Sequence, residues 1–205
     1  MMYIKRFACL ILPCFILAFF YLPKVLAQDI IVEDIEVIDL KSRSVVGKYV
    51  VGEEGLELGS VYLIDRDYFV KDMSEEFEGA TFIMTAMEDE RSKGADFITF
   101  RVKVPIVVWL ATDKRWGNPP KWASDGNGWK EQPDYLVQTN EEDTDIFVLL
   151  NKEFPAGDIS LGGNNDAPAN LAPMYWVFLT RDAEGAAIEA TDKLTTTWGK
   201  LKSNR

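Results

Sequence analysis

Short runs of β-branched and aromatic residues, separated by Gly, Pro and Asn turn residues, make up most of this chain, and no segment keeps a strong helical period. Runs of this length with partial alternation are typical of β-strands. Many short strands without helices predict an all-β sandwich. The expected strands or extended segments are 29–40, 44–51, 59–70, 80–87, 97–104, 106–111, 146–150, 159–161 and 175–179.

Two of these segments differ in their apolar pattern. Segment 97–104 alternates partly, as expected for a strand with one face in water. Segment 106–111 is apolar on both sides, which predicts a central strand. The turn sequences Pro155-Ala156-Gly157 and Gly162-Gly163-Asn164 are expected to close hairpins or loops between neighbouring strands.

The N-terminus has the pattern of a signal peptide. Lys5 and Arg6 precede an apolar run at 7–22, and Val25-Leu26-Ala27 fits the small residues of a cleavage site. We expect a signal peptide at 1–27 with a helical apolar part, cleavage after Ala27, and a protein that is secreted, periplasmic or on the cell surface. Retention of the segment as an uncleaved anchor is the alternative.

The mature chain is unusually poor in reactive side chains. Cys9 and Cys14 both lie in the signal segment, and histidine is absent from the whole sequence. Disulfides, a thiol nucleophile and an imidazole base are therefore excluded. We expect no cofactor, and calcium on oxygen ligands is the natural candidate if a metal binds. The mature chain divides into a sandwich domain at 28–182 and a polar extension at 183–205, partly helical or disordered.

The charge of the mature chain is strongly negative. Removing the three basic residues of the signal segment from the 22 in the chain leaves 19 against 33 acidic residues, a net charge of −14. This balance argues against nucleic acid and against an anionic membrane surface as partners.

A loop-like stretch at 109–129 holds four of the six tryptophans. Aromatic faces suit sugar rings, and neighbouring charges suit hydroxyls or carboxylates. In a functional interpretation Arg115 is a fork for a uronate or a hydroxyl pair, and in a structural one Asp113 caps the loop and the tryptophans are packed anchors. The candidate ligand-binding residues are Asp113, Arg115, Trp116, Trp122 and Trp129.

The order and spacing of several motifs resemble a bacterial secreted β-sandwich module that is appended to polysaccharide lyases and glycoside hydrolases. The resemblance covers about 120 residues and is carried by VYLIDRDY (61–68), GATFIMTAMEDER (79–91), DFITFRVKVPIVVWLATDKR (96–115), PPKW (119–122), GNGW (126–129) and FPAGDISLGGN (154–164). It implies an antiparallel jelly-roll-like sandwich with an accessory, glycan-binding role. The chain departs from the module's pattern at Ala86-Met87-Glu88, Thr112 and Ala123.

Three polar segments have competing interpretations. Asp65-Arg66-Asp67-Tyr68 would place two carboxylates on one face of a strand as ligands, or Arg66 would form an ion pair with a neighbouring strand or loop while Tyr68 anchors the core. The acidic runs 88–90 and 141–143 are solvated faces or contributors to a calcium site.

These features favour a secreted, non-catalytic module that recognises a polysaccharide. The alternative is a structural or adhesive surface protein that makes protein–protein contacts. An enzyme that uses carboxylates alone is a third interpretation, although no pair of acids is marked out by the sequence.

Overall fold

The computed structural model describes residues 32–37, 49–142 and 146–181. The predicted signal peptide at 1–27 and the extension at 183–205 lie outside these residues. In the described ranges the regular elements are β-strands and 3-10 turns, and no helix is long and apolar enough to cross a membrane. The strands are β1 Val32–Val37, β2 Val50–Val51, β3 Val70–Met73, β4 Thr81–Met84, β5 Ile98–Val102, β6 Ile106–Thr112, β7 Lys130–Glu131, β8 Val137–Thr139, β9 Val148–Phe154, β10 Gly157–Leu161 and β11 Trp176–Arg181.

The strands form three antiparallel sheets. A six-stranded sheet has the order β2-β4-β11-β6-β9-β7, a three-stranded sheet has the order β1-β5-β10, and β3 pairs with β8. Strand β6 lies between β11 and β9, so that Trp109 is opposite Phe178 on one side and Asn151 on the other. This position confirms the prediction of a central strand at 106–111.

Apolar side chains cover both faces of the six-stranded sheet. Because successive side chains of a strand point to opposite faces, Val108 and Leu110 of β6 enter one core while Trp109 and Ala111 enter another. The first core is closed by the three-stranded sheet through residues such as Phe100. The second core is closed by β3, β8 and their connecting loops. The all-β sandwich that the sequence predicts is therefore confirmed.

Strand β5 has the predicted wet face. Ile98, Phe100 and Val102 are buried, whereas Arg101 points to solvent and pairs with Asp158 of β10 at 2.6 Å. An exposed pair of this kind contributes little to stability, so the apolar alternation is what fixes this strand in the sandwich.

The predicted strand at 59–70 is wrong in its middle. Val61 and Leu63 form only isolated bridges, the chain bends, and regular pairing begins at Val70. The cause is the polar side chain of Asp65, whose carboxylate accepts hydrogen bonds from the backbone amides of Met87 and Glu88. These hydrogen bonds hold Asp65 to the loop that follows β4, in place of regular strand pairing at this position.

Two strands were not predicted, and β3, β6, β9, β10 and β11 extend beyond a predicted end. Strands β7 and β8 are short, and β7 consists of two charged residues, so neither carries an apolar alternation. Strand β9 continues to Phe154, and the Pro155-Ala156-Gly157 turn then leads into β10.

Candidate functional site

Three loops meet at one end of the sandwich and are joined by backbone hydrogen bonds. They are 113–129 between β6 and β7, 162–175 between β10 and β11, and 85–97 between β4 and β5. We call them together the loop surface. The joining bonds run from the amides of Gly163, Asn165, Lys121 and Asn170 to the carbonyls of Gly94, Ser92, Ala167 and Trp116, at 2.8 to 3.1 Å.

Asn164 lies at the centre of these loops and is fully buried. Its amide nitrogen donates to the carbonyls of Glu90 and Ala172 at 3.1 and 2.7 Å, and its amide oxygen accepts from the Tyr175 backbone at 3.1 Å. One side chain thus links two of the loops. The sequence marked this position only as part of a Gly-Gly-Asn turn.

Asp113 and Arg115 form a closed unit at the end of β6. The Asp113 carboxylate is 1 % exposed and accepts from the Arg115 backbone amide at 2.7 Å, which caps the 3-10 turn Lys114–Trp116. It also accepts from Nε of Arg115 at 3.0 and 2.9 Å and from Nη2 at 2.5 Å. Asp113 therefore caps the loop, as in its structural interpretation. It would act on a ligand only by positioning Arg115, whose side chain is 45 % exposed.

Trp116 and Trp129 are packed anchors in this structure. Each is 3 % exposed. The ring centroid of Trp116 lies 5.9 Å from that of Tyr175, and the ring centroid of Trp129 lies 6.0 Å from that of Phe154. Both rings close the first core beneath the loop surface, because the loop folds back over the sheet and buries them. Their ring faces are therefore not open to solvent here.

Trp122 is half-buried and is held from two sides. Its indole nitrogen donates to the Gly163 carbonyl at 3.0 Å, and its ring packs against Tyr175 and Trp129. Of the five candidate residues, Trp122 and Arg115 keep solvent-exposed surface. Ligand binding by the loop stays a prediction that now rests on these two.

The acidic run at 88–90 makes internal contacts. The Tyr49 hydroxyl donates to Asp89 at 2.6 Å, and burial together with the Asp89 charge raises the pKa of Tyr49, which keeps the hydroxyl protonated. Arg66 pairs with Glu88, which confirms the structural interpretation of that arginine.

In the described part of the chain no group of three or more acidic side chains could hold a metal ion. Asp143 of the second acidic run lies outside the described residues.

A cleft of about 280 Å³ opens at the β7–β9 edge of the six-stranded sheet. Backbone pairing stops where the Gln132 amide donates to the Leu149 carbonyl at 2.9 Å, and it resumes where Phe147 donates to Val137 at 3.2 Å. Four residues, 133–136, thus stand opposite the single residue Val148. We call this space the edge cleft.

The edge cleft combines apolar and acidic side chains. The Tyr135 ring lies against Phe77 and Trp109, at centroid distances of 5.4 and 5.1 Å. Ile146 is 49 % exposed, and the carboxylates of Glu131 and Asp134 lie at the exposed rim. The lining contains no lysine or arginine. The sequence reasoning missed this site, and the available signal was an aromatic directly after the Gln132-Pro133-Asp134 turn.

Comparisons with known proteins show a similar fold but do not assign the chain to a family. No family model matches the chain, and no curated protein matches it. Among solved structures it is similar to a β-glucuronidase from glycoside hydrolase family 2, with a TM-score of 0.57, 16% sequence identity, and coverage of 67% of this chain and 14% of that chain. A GH138 enzyme targeting pectin rhamnogalacturonan II gives a TM-score of 0.47 at 14% identity, covering 73% of this chain and 16% of that chain. The chain thus spans about one seventh of these enzymes, and it shares a β-domain fold with the β-glucuronidase.

Proposed function

We propose that this protein is a non-catalytic carbohydrate-binding module that is exported and recognises a polysaccharide at its loop surface. The observation that carries the proposal is the Arg115 guanidinium, which is oriented by a buried carboxylate and lies on the same loop as the half-buried Trp122. A polar group that is fixed before binding loses little entropy when a ligand arrives.

The fold supports a role near glycans. A segment of a β-glucuronidase has a similar fold, and the chain matches only 14% of that enzyme. A domain of this size beside a separate catalytic part would serve as an accessory module. The motif resemblance to modules appended to lyases and hydrolases agrees with this role.

The chemistry at Arg115 favours a carboxylate or a pair of hydroxyls as the contacted group. The Arg115 guanidinium donates to Asp113 through Nε and Nη2, its side chain is 45 % exposed, and a guanidinium can only donate hydrogen bonds. The exposed lysines Lys114 and Lys121 on the same loop add positive charge. Acidic polysaccharides such as pectin and alginate are therefore the first ligands to screen at this surface.

The test is a glycan array with wild type and Arg115→Lys. Lysine keeps a positive charge beside the buried Asp113 but lacks the planar fork of arginine. Affinity for acidic glycans should therefore fall about tenfold, which is the effect of losing one charge-assisted hydrogen bond. Lys71→Ala is the control, because this exposed lysine lies on β3, outside the loop surface, and its loss should change affinity only slightly. Equal binding by wild type and Arg115→Lys would remove Arg115 from the site.

Exposed apolar side chains support the alternative function, an adhesive or structural protein that makes protein–protein contacts. Val61 and Phe69 face each other across an isolated bridge and are both exposed, and Ile146 is exposed opposite Gln138. An exposed apolar set on a small sheet is a feature of protein contacts. If the wild type binds no glycan in a broad screen that includes alginate, pectin and β-glucans, the adhesive function becomes the better one.

A further inference from the structure

We propose that the edge cleft is a second binding site, separate from Arg115, that accepts one neutral pyranose unit of a polysaccharide. The ligand class rests on the proposed function. The location rests on the cleft itself, which shares no lining residue with the loop surface.

The size of the edge cleft suits a single sugar unit. Its volume of about 280 Å³ lies just below the range of sites for drug-sized ligands, roughly 300–1,000 Å³, as expected for a site that holds one sugar unit. The cleft is open on the solvent side, because Glu131, Pro133, Asp134 and Ile146 are exposed. A chain could therefore pass through while one unit occupies the cleft.

The side chains offer the two surfaces that a pyranose has. The exposed side chain of Ile146 and the half-buried ring of Tyr135 suit the C–H face of a sugar, and the carboxylates of Glu131 and Asp134 accept hydrogen bonds from hydroxyls. Contacts of Tyr135 with Phe77 and Trp109 fix its ring before a ligand binds.

The charge of the cleft selects against acidic sugars. Two carboxylates lie at the rim, and no cation is present among the lining residues to offset them. A uronate would be repelled, whereas neutral hydroxyls would not. The two sites thus differ in preference: the edge cleft takes neutral units, and the surface around Arg115 takes acidic ones.

The experiment is isothermal titration calorimetry with cellohexaose, xylohexaose and mannohexaose as neutral probes and with polygalacturonate oligosaccharides as acidic probes. Ile146→Trp should fill the cleft with an indole ring and exclude the sugar. Affinity for neutral glycans should then fall by more than about tenfold, because the main contacts are lost. Leu58→Trp is its control, since Leu58 is also exposed and does not line the cleft.

A charge variant tests the selectivity. Glu131→Gln with Asp134→Asn, made in an Arg115→Lys background, should raise binding of the polygalacturonate oligosaccharides, because the repelling charges are gone. Glu153→Gln in the same background is the control, since Glu153 is an exposed acid of β9 outside the cleft.

The outcomes separate the two proposals. If the wild type binds neutral glycans equally well after Ile146→Trp and Leu58→Trp, the edge cleft is not the site and the proposed function stands. Binding of acidic probes alone by the wild type also overturns the edge cleft. If the wild type binds no glycan of either class, the proposed function fails and the edge-cleft inference falls with it.

Discussion

At the scale of single residues, the side chain of Asn164 holds the loop surface together through three hydrogen bonds, although the sequence did not mark this residue as a candidate. Its buried amide satisfies the carbonyls of Glu90 and Ala172 and the Tyr175 amide. A buried carbonyl or amide left without a partner costs about 1–3 kcal/mol. The loop surface around Arg115 and Trp122 therefore depends on a residue that no ligand would touch.

Asn164→Ala should lower the free energy of unfolding by about 3 kcal/mol, because it leaves several buried backbone groups unpaired. Urea unfolding followed by tryptophan fluorescence measures the change. Asn165→Ala is the control, since Asn165 bonds to the Ser92 carbonyl through its backbone amide, and the effect on the free energy of unfolding should stay within about 0.5 kcal/mol. Equal stability of the two variants would show that the Asn164 side-chain bonds are dispensable.

The tryptophan cluster shows what could be predicted at this scale. The density of indoles in a Gly- and Pro-rich loop placed Trp116, Trp122 and Trp129 together, and the structure brings them around Tyr175 and Phe154. Which ring faces stay exposed depends on where the loop folds back, and that is decided by partners more than 20 positions away. Sequence spacing carries no information on such contacts.

At the scale of elements, the loops of the loop surface approach one another as closely as glycine permits. A Cβ atom at Gly163 would lie 2.3 Å from the Cα of Lys93 and 2.5 Å from the carbonyl carbon of Ser92. These are backbone atoms, so the clash is relieved only if one loop moves away from the other. Gly163 is the contact point between loops 85–97 and 162–175.

Gly163→Ala should separate these loops and lower stability by about 1–3 kcal/mol, the usual range for overpacking. It should also weaken the Trp122 contact with the Gly163 carbonyl and shift the tryptophan emission towards longer wavelength. The measurement is thermal unfolding with emission spectra. Gly126→Ala is the control, because its Cβ would meet only Ser124 at 3.9 Å. An unchanged melting temperature for Gly163→Ala would contradict the close approach.

The elements that were predictable are those with a strong apolar pattern. Strand β6 is buried on both faces because it is central, and its continuous apolar sequence indicates this position directly. The bend at Asp65 was hidden because its partners, the amides of Met87 and Glu88, are distant in sequence. The edge cleft was hidden for the same reason, since it arises from a mismatch in length between 133–136 and Val148.

At the scale of the whole molecule, stability comes from two apolar cores without covalent cross-links. Cys9 and Cys14 are the two cysteines of the sequence, and both precede the predicted cleavage point after Ala27. The described cores contain residues from Tyr49 to Leu179. A mature chain that starts at Gln28 therefore needs no oxidant to fold.

We expect the native protein to start at Gln28 and to be recovered outside the cytoplasm, with the same unfolding midpoint in the presence and absence of dithiothreitol. N-terminal sequencing and thermal unfolding followed by far-ultraviolet circular dichroism check both statements. The spectrum should be that of a β-protein. A retained Met1 would contradict the predicted cleavage, and a midpoint that falls on reduction would contradict the cross-link-free core.

The six-stranded sheet ends on each side, within the described residues, in a strand of only two residues, Val50–Val51 and Lys130–Glu131. A long free edge is a template on which the backbone of a foreign chain can add itself as another strand. Short edges, one of them charged, offer few unpaired amides and carbonyls for such growth. This sheet should therefore resist growth by edge-to-edge pairing with its own copies or with other β-rich domains.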